Sequence, residues 1–238
     1  NINAFTLHTL IQRDPRWILR SPKYWRAIFL EKKFNPRWLS RSAEYWRGLY
    51  LQKHLDNGFN IRKLKIITLV REPVARNVSD FFKRASPLID LLIQKKIDLK
   101  SLRTYFLENF PHEMTLNWFD VELKQMIGLD VYSVPFPKKT GYKIYKGGDT
   151  HPDVLLLKLE KLNECASRAF KEFLGIDEFI LQNKIPVGRR YYQSYKKFVS
   201  IKMLPQSYIE KMYTSKYAKH FYTDTELNEY RKKWGQWY

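Results

Sequence analysis

Residues 67–82 read ITLVREPVARNVSDFF: a run of β-formers stops at Arg71, and Ser79 follows eight residues later. Pro73 cannot continue a strand and suits the first turn of a helix. Arg71 is thereby placed in the loop at a strand's C-terminal end, beside a helix N-terminus. Open α/β sheets bind ligands at that edge. A helix N-terminus offers free N–H groups and a partial positive charge, and an arginine fork can grip a phosphate through two parallel bonds. Ser79, two turns along the helix, sits between an apolar side (Val74, Val78, Phe81, Phe82) and a basic one (Arg76, Lys83). Its hydroxyl can donate to the same anion. The spacing is satisfied equally by a plain alternative, an arginine that caps a loop and a solvated serine. A second group, Trp118, Asp120 and Glu122, offers a ring to stack on a sugar and carboxylates for its hydroxyls, or else an amphipathic helix with a buried Trp.

The elements that must position these groups follow from periodicity and punctuation. Leu64 to Val70 reads as a buried strand and Val74 to Ala85 as a helix. Residues 86–127 read as mainly helical, broken at Pro111. LDVYSVPFPKKTGYKIYKGGD (129–149) reads as short strands joined by turns, with Gly147 and Gly148 as punctuation. DVLLLKLEKL (153–162) reads as a strand in preference to a through-running helix, and NECASRAFKEFLG as a helix stopped at Gly175. Helices are expected near 189–200, 205–214 and 224–234. Near the N-terminus, DPRWILRSPKYWRAIFLEKKF (14–34) repeats as NPRWLSRSAEYWRGLYLQKHL (35–55). Ser21 and Ser42 are placed to cap helices, so 14–55 reads as a tandem helical insertion. No linker is evident, and 1–238 is read as one domain.

With 44% hydrophobic residues and 16% aromatics, the 238-residue chain has a globular composition. No apolar run is long enough to cross a bilayer. NINAFTLHTL lacks the basic start and cleavage site of a signal peptide, and it lacks Met. Cys165 is the only cysteine, which excludes an intrachain disulfide. The scattered histidines (His54, His112, His151, His220) have no metal-ligand spacing, so no metal is expected. The surplus of 43 Lys+Arg over 24 Asp+Glu gives +19 and predicts attraction to polyanions. The Arg/Trp/Tyr repeat could lie along an acidic glycan or a nucleic acid, or pack as two helices with basic outer faces.

ITLVREPVARNVSDFF resembles the 3′-phosphate-binding motif of the PAPS-dependent sulfotransferases, and more closely that of the carbohydrate sulfotransferases. LLLKLEKLNECASRAFKEFLGI resembles a later strand, Glu-x-Leu and helix of the same families. LNWFDVELKQMIGLDVYSVPFPKKTGYKIYK and SKYAKHFYTDTELNEYRKKW resemble a bacterial branch of capsular polysaccharide synthesis proteins. Together these matches cover roughly residues 1–12 and 60–238 and leave the repeat outside.

The resemblance implies an α/β, P-loop-NTPase-like sulfotransferase fold, a central parallel sheet flanked by helices. It implies transfer of a sulfuryl group from PAPS, as co-substrate, to a hydroxyl of a carbohydrate acceptor, with no specific nucleic-acid partner. Arg71 and Ser79 then hold the donor's 3′-phosphate, and Arg189 and Arg190, beside Gly188, reach the nucleotide from a later loop. His8, at the end of the family's second strand, is the expected base, and Trp118 and Asp120 the expected acceptor contacts. Such enzymes also need a Gly- or Ser-rich loop with a Lys or Arg for the 5′-phosphosulfate. None precedes Arg71, and the expectation is a chain whose first strand and phosphate loop are missing. A non-catalytic polyanion-binding protein is the rival reading.

Overall fold

The computed structural model describes residues 64–177, 179–181, 190–201 and 204–235. His8, Arg189 and the tandem repeat 14–55 lie outside them. By internal contacts the chain divides into two units, and most described residues belong to the second: Lys65–Trp118, Tyr132–Lys146 and Val154–Tyr238.

A three-stranded mixed sheet organises this second unit. Its strands are β1 (Lys65–Val70), β2 (Tyr142–Tyr145) and β3 (Asp153–Lys158), in the order β1-β3-β2. β2 pairs antiparallel with β3, with Tyr142 opposite Leu157 and Tyr145 opposite Val154. β1 completes the mixed sheet parallel to β3. The expected central parallel sheet is thus corrected. Among the described residues only the β1–β3 pair is parallel, because the chain before β3 returns through β2 and not through a crossover helix. The expected burial of the first strand is corrected as well. Ile67 and Leu69 are 41% and 48% exposed while Val70 is buried. Among the described residues β1 lies at a sheet edge, and period-two alternation turns residues 65, 67 and 69 to one open face.

Pro73 begins α1 (Pro73–Arg84), which ends one residue before the expected boundary. Its apolar stripe Val74, Val78, Phe81 and Phe82 is buried. Phe81 meets Phe106 edge-on at 5.1 Å, and Phe82 meets Phe198 at 5.3 Å. These contacts draw α1 against α3 (Leu99–Asn109) and α6 (Tyr192–Ser200). Between them lies α2 (Ser86–Ile93), and Pro111 separates α3 from α4 (Glu113–Trp118), as expected. The apolar run 154–157 is a strand, and a 3-10 turn, Leu159–Lys161, leads from it into α5 (Leu162–Leu174). Gly175 closes α5 in the left-handed region, φ 73°, where a side chain is strained. Tyr142, Leu155, Leu157, Cys165, Ala169 and Phe173 form the apolar cluster between β2, β3 and α5. Burial pushes the Cys165 thiol above its ordinary value, so the lone cysteine is an inert core residue.

The C-terminal third carries α7 (Gln206–Tyr213), α8 (Lys216–Phe221) and α9 (Asp224–Trp234). Two were expected, and α8 was not. Its Ser215 cap, which accepts from the Ala218 N–H at 3.2 Å, is the local signal that marks it.

The described part of the first unit comprises Leu64, Phe119–Val131 and Gly147–Asp153. It contains a π-helical turn, Phe119–Lys124, and an ion pair of Lys124 with Asp130 at 2.6 Å. Where short strands were expected, 131–133 is a 3-10 turn. A Cβ on Gly147 would fall 1.6 Å from the His151 carbonyl oxygen, so the Gly147 to Thr150 turn admits only glycine at its start.

Candidate functional site

The parallel pair β1–β3 brings two strand ends together. After β1 comes Arg71-Glu72, while β3 ends on Lys158 and is followed by Glu160. The Glu72 N–H donates to Glu160 Oε1 at 2.7 Å, which ties the two ends directly.

Glu72 is 1% exposed and caps α1. Its Oε1 accepts from the Val74 N–H (2.7 Å) and from the Tyr213 hydroxyl (2.6 Å). Its Oε2 accepts from the Ala75 N–H (2.9 Å) and from Trp234 Nε1 (3.0 Å). Four donors favour the ionised form, yet burial is the larger influence and holds the carboxyl above its ordinary range. The geometry revises the expectation of an open helix N-terminus. Pro73 has no N–H, Val74 and Ala75 are bonded to Glu72, and the Arg76 N–H is bonded to the Glu72 carbonyl. No free main-chain donor is left there for an anion. Any anion at this end must be held by side chains.

Arg71 is the side chain in place to do so. Its main chain is fixed on three sides. The Tyr217 hydroxyl accepts from the Arg71 N–H at 3.1 Å and donates to the Arg71 carbonyl at 2.8 Å, and the next peptide N–H is held by Glu160. Arg71 is half-buried as a residue, and its guanidinium makes no hydrogen bond or ion pair with the described residues. Ser79 is half-buried on the rim of α1's apolar stripe, as expected, with a hydroxyl equally unengaged. Arg76 is otherwise occupied. Its Nη1 donates to Thr115 Oγ1 at 2.7 Å, Thr115 donates to Asn77 Oδ1, and Asn77 Nδ2 reaches the Tyr208 hydroxyl at 3.2 Å.

The second strand end is just as closely held. Lys158 is completely buried, with Nζ 2.6 Å from Glu226 Oε1 and 4.4 Å from the centre of the Tyr222 ring. Glu226 also closes a capping box with Thr223 at the start of α9. Although burial opposes it, the bonds to Lys158 and Thr223 hold the Glu226 carboxyl below its ordinary value. Glu160 Oε2 accepts from the Tyr222 hydroxyl at 3.0 Å. The segment Tyr213–Trp234 thus supplies Tyr213, Tyr217, Tyr222, Glu226 and Trp234 to the two strand ends.

Of the residues singled out by sequence, Arg71 and Ser79 lie on one strand–helix unit. Arg190 does not join Arg71. It pairs with Asp90 on α2 at 3.1 Å, beyond the C-terminal end of α1, while Arg71 precedes its N-terminal end. Trp118 ends α4 and Asp120 lies in the π-helical turn, each half-buried. Sequence reasoning missed Glu72, Glu160, Lys158 and the tyrosines. Glu is not among the usual capping residues, and Tyr217 reaches Arg71 across 146 residues with no local pattern to announce it. Among the described residues no His/Cys/Asp/Glu group could hold a metal, and no helix is long and apolar enough to cross a membrane.

Fold and site together define a mixed α/β protein whose C-terminal helices are bonded onto the ends of two parallel strands. Residues 90–223, more than half of the chain, match the family described as "Putative capsular polysaccharide synthesis protein", and the chain belongs to that family. The matched span includes Glu160, Tyr213, Tyr217 and Tyr222, whereas Arg71, Ser79 and Trp234 lie outside it. No curated protein and no solved structure matches the chain.

Proposed function

We propose that this chain takes part in capsular polysaccharide synthesis by binding PAPS and transferring its sulfuryl group to a carbohydrate hydroxyl. The observation that carries the reading is the contrast within Arg71: a main chain held by two hydrogen bonds to Tyr217, with the following N–H held by Glu160, and a guanidinium with no partner among the described residues. Its main chain has no freedom left to lose on binding, so the ordering cost is confined to the side chain. Its fork suits a nucleotide 3′-phosphate, with the Ser79 hydroxyl as a further donor. The family supports the polysaccharide setting, and the resemblance of ITLVREPVARNVSDFF to the sulfotransferase motif supports the donor.

In the reaction, an acceptor oxygen attacks sulfur in line. The new O–S bond forms as the bond from sulfur to the phosphate oxygen breaks, adenosine 3′,5′-bisphosphate leaves, and the hydroxyl proton passes to a base. His8 is the proposed base, acting near neutral pH. Arg189 is proposed to close over the nucleotide, and Trp118 with Asp120 to contact the sugar. Arg190 is less suited than Arg189, since its charge is already paired with Asp90.

Calorimetric titration with adenosine 3′,5′-bisphosphate at two salt concentrations, with AMP as control, tests this. Binding that requires the 3′-phosphate supports the donor site. The net charge of +19 favours a second reading, a protein that binds acidic polymers without chemistry. That reading predicts equal, weak binding of both nucleotides and affinity for polyanions that falls steeply with salt.

A further inference from the structure

We propose that Tyr217 is the positioning residue for Arg71: its hydroxyl sets the direction in which the arginine presents its fork, and so the chain's preference for a 3′-phosphate. The inference deepens the proposed donor site and rests on that reading.

A phenol has one proton to donate and lone pairs to accept. Tyr217 uses both on a single residue, donating to the Arg71 carbonyl at 2.8 Å and accepting from the Arg71 N–H at 3.1 Å. Both peptide groups flanking the Arg71 Cα are thereby held. The direction in which the Cα–Cβ bond leaves the main chain is therefore set from α8 and not by the local sequence. Tyr217 is 3% exposed, and burial drives its phenol well above the ordinary value, so the donor stays protonated throughout the physiological range. Tyr217 is itself anchored. Ser215 caps the helix that carries it, and its ring packs edge-on against Phe221 at 5.2 Å. Glu160 completes the clamp by holding the following N–H, and Tyr222 holds Glu160. This arrangement costs a buried phenol yet leaves the Arg71 guanidinium uncommitted among the described residues. A purely structural arginine would be held by its charge, whereas among the described residues only the main chain of Arg71 is held.

The test compares the wild type with Tyr217→Phe, and with Tyr208→Phe as control. The control also loses one buried hydroxyl, but one bonded to Asn77 and not to Arg71. The readout is the ratio of affinities for adenosine 3′,5′-bisphosphate and AMP, which a uniform loss of stability leaves unmoved. Loss of a hydrogen bond that aims a charged contact is expected to lower this ratio about tenfold in Tyr217→Phe. Tyr208→Phe is expected to keep it. A wild type without preference for the 3′-phosphate would overturn the donor reading and this inference together. A wild type with that preference, kept in Tyr217→Phe, would overturn this inference alone. Should Tyr217→Phe not fold, amide exchange in the wild type decides: a slowly exchanging Arg71 N–H supports the clamp, and a rapidly exchanging one overturns it.

Discussion

β3 serves two regions of opposite character. Along its length, Leu155 and Leu157 pack with Tyr142, Cys165, Ala169 and Phe173 in a cluster bound by apolar contact. At its C-terminal end, Lys158 and Glu160 enter a polar network with Glu72, Glu226, Tyr213, Tyr217, Tyr222 and Trp234, with bonds of 2.6 to 3.1 Å. The first region gains its free energy from surface removed from water and is indifferent to small changes of direction. The second gains little net stability, since Glu72, Lys158 and the phenols are desolvated in return for their bonds. What it provides is direction: hydrogen bonds fix angles as well as distances. Stability is concentrated along the strand, and the proposed ligand contacts lie at its end.

That division can be broken from either side. The largest effect belongs to the apolar cluster. Phe173→Ala is expected to cost about 3–5 kcal/mol in urea unfolding. In chain that remains folded, the preference for a 3′-phosphate is expected to be unchanged, and a lost preference would erase the distinction between the regions. Next comes Glu72→Ala. It removes the α1 cap and leaves the Tyr213 and Trp234 donors buried without partners. A loss of about 3 kcal/mol is expected, accompanied by weaker nucleotide selectivity.

A third effect is read against pH, from the aromatic cluster around α1. His112 Nε2 donates to the Phe106 carbonyl at 2.9 Å, and Asn77, Glu113 and Lys211 are its other polar neighbours. Burial, the dominant cause, holds its imidazole below the ordinary value. The unfolded chain therefore takes up this proton first on acidification. The contribution is fully present above the unfolded imidazole value and is lost as pH falls through the lower folded one. Melting temperature is expected to decline between pH 7 and 5, and His112→Gln to decline less steeply. Equal slopes would remove His112 from the account.

The sequence made the two regions unequally legible. Local chemistry announced β1, α1, the strand at 153–158 and the Gly175 stop, because Pro73, the apolar run 154–157 and Gly175 each act on their immediate neighbours. It also placed Arg71 at a strand end and Ser79 on the rim of a helix. What it could not announce was the company they keep. An isolated Arg-Glu-Pro suggests an open helix N-terminus, but Glu72 folds back to fill it. The open face of β1 was hidden for a similar reason: ITLV looks the same whether one side of a strand is covered or both. Tyr213, Tyr217 and Tyr222 sit among many C-terminal aromatics, and only the closed chain shows which of them meet the strand ends.

The smallest stability change is expected at Arg71, the residue to which the proposed donor site gives the greatest weight. Arg71→Ala should be measured for melting temperature and for adenosine 3′,5′-bisphosphate binding on the same sample. Stability is expected within about 0.5 kcal/mol of the wild type, with the preference over AMP abolished. Unaltered preference, or a fall in stability as large as that of Glu72→Ala, would contradict this, for Arg71 would then be a structural residue and the strand ends no binding site.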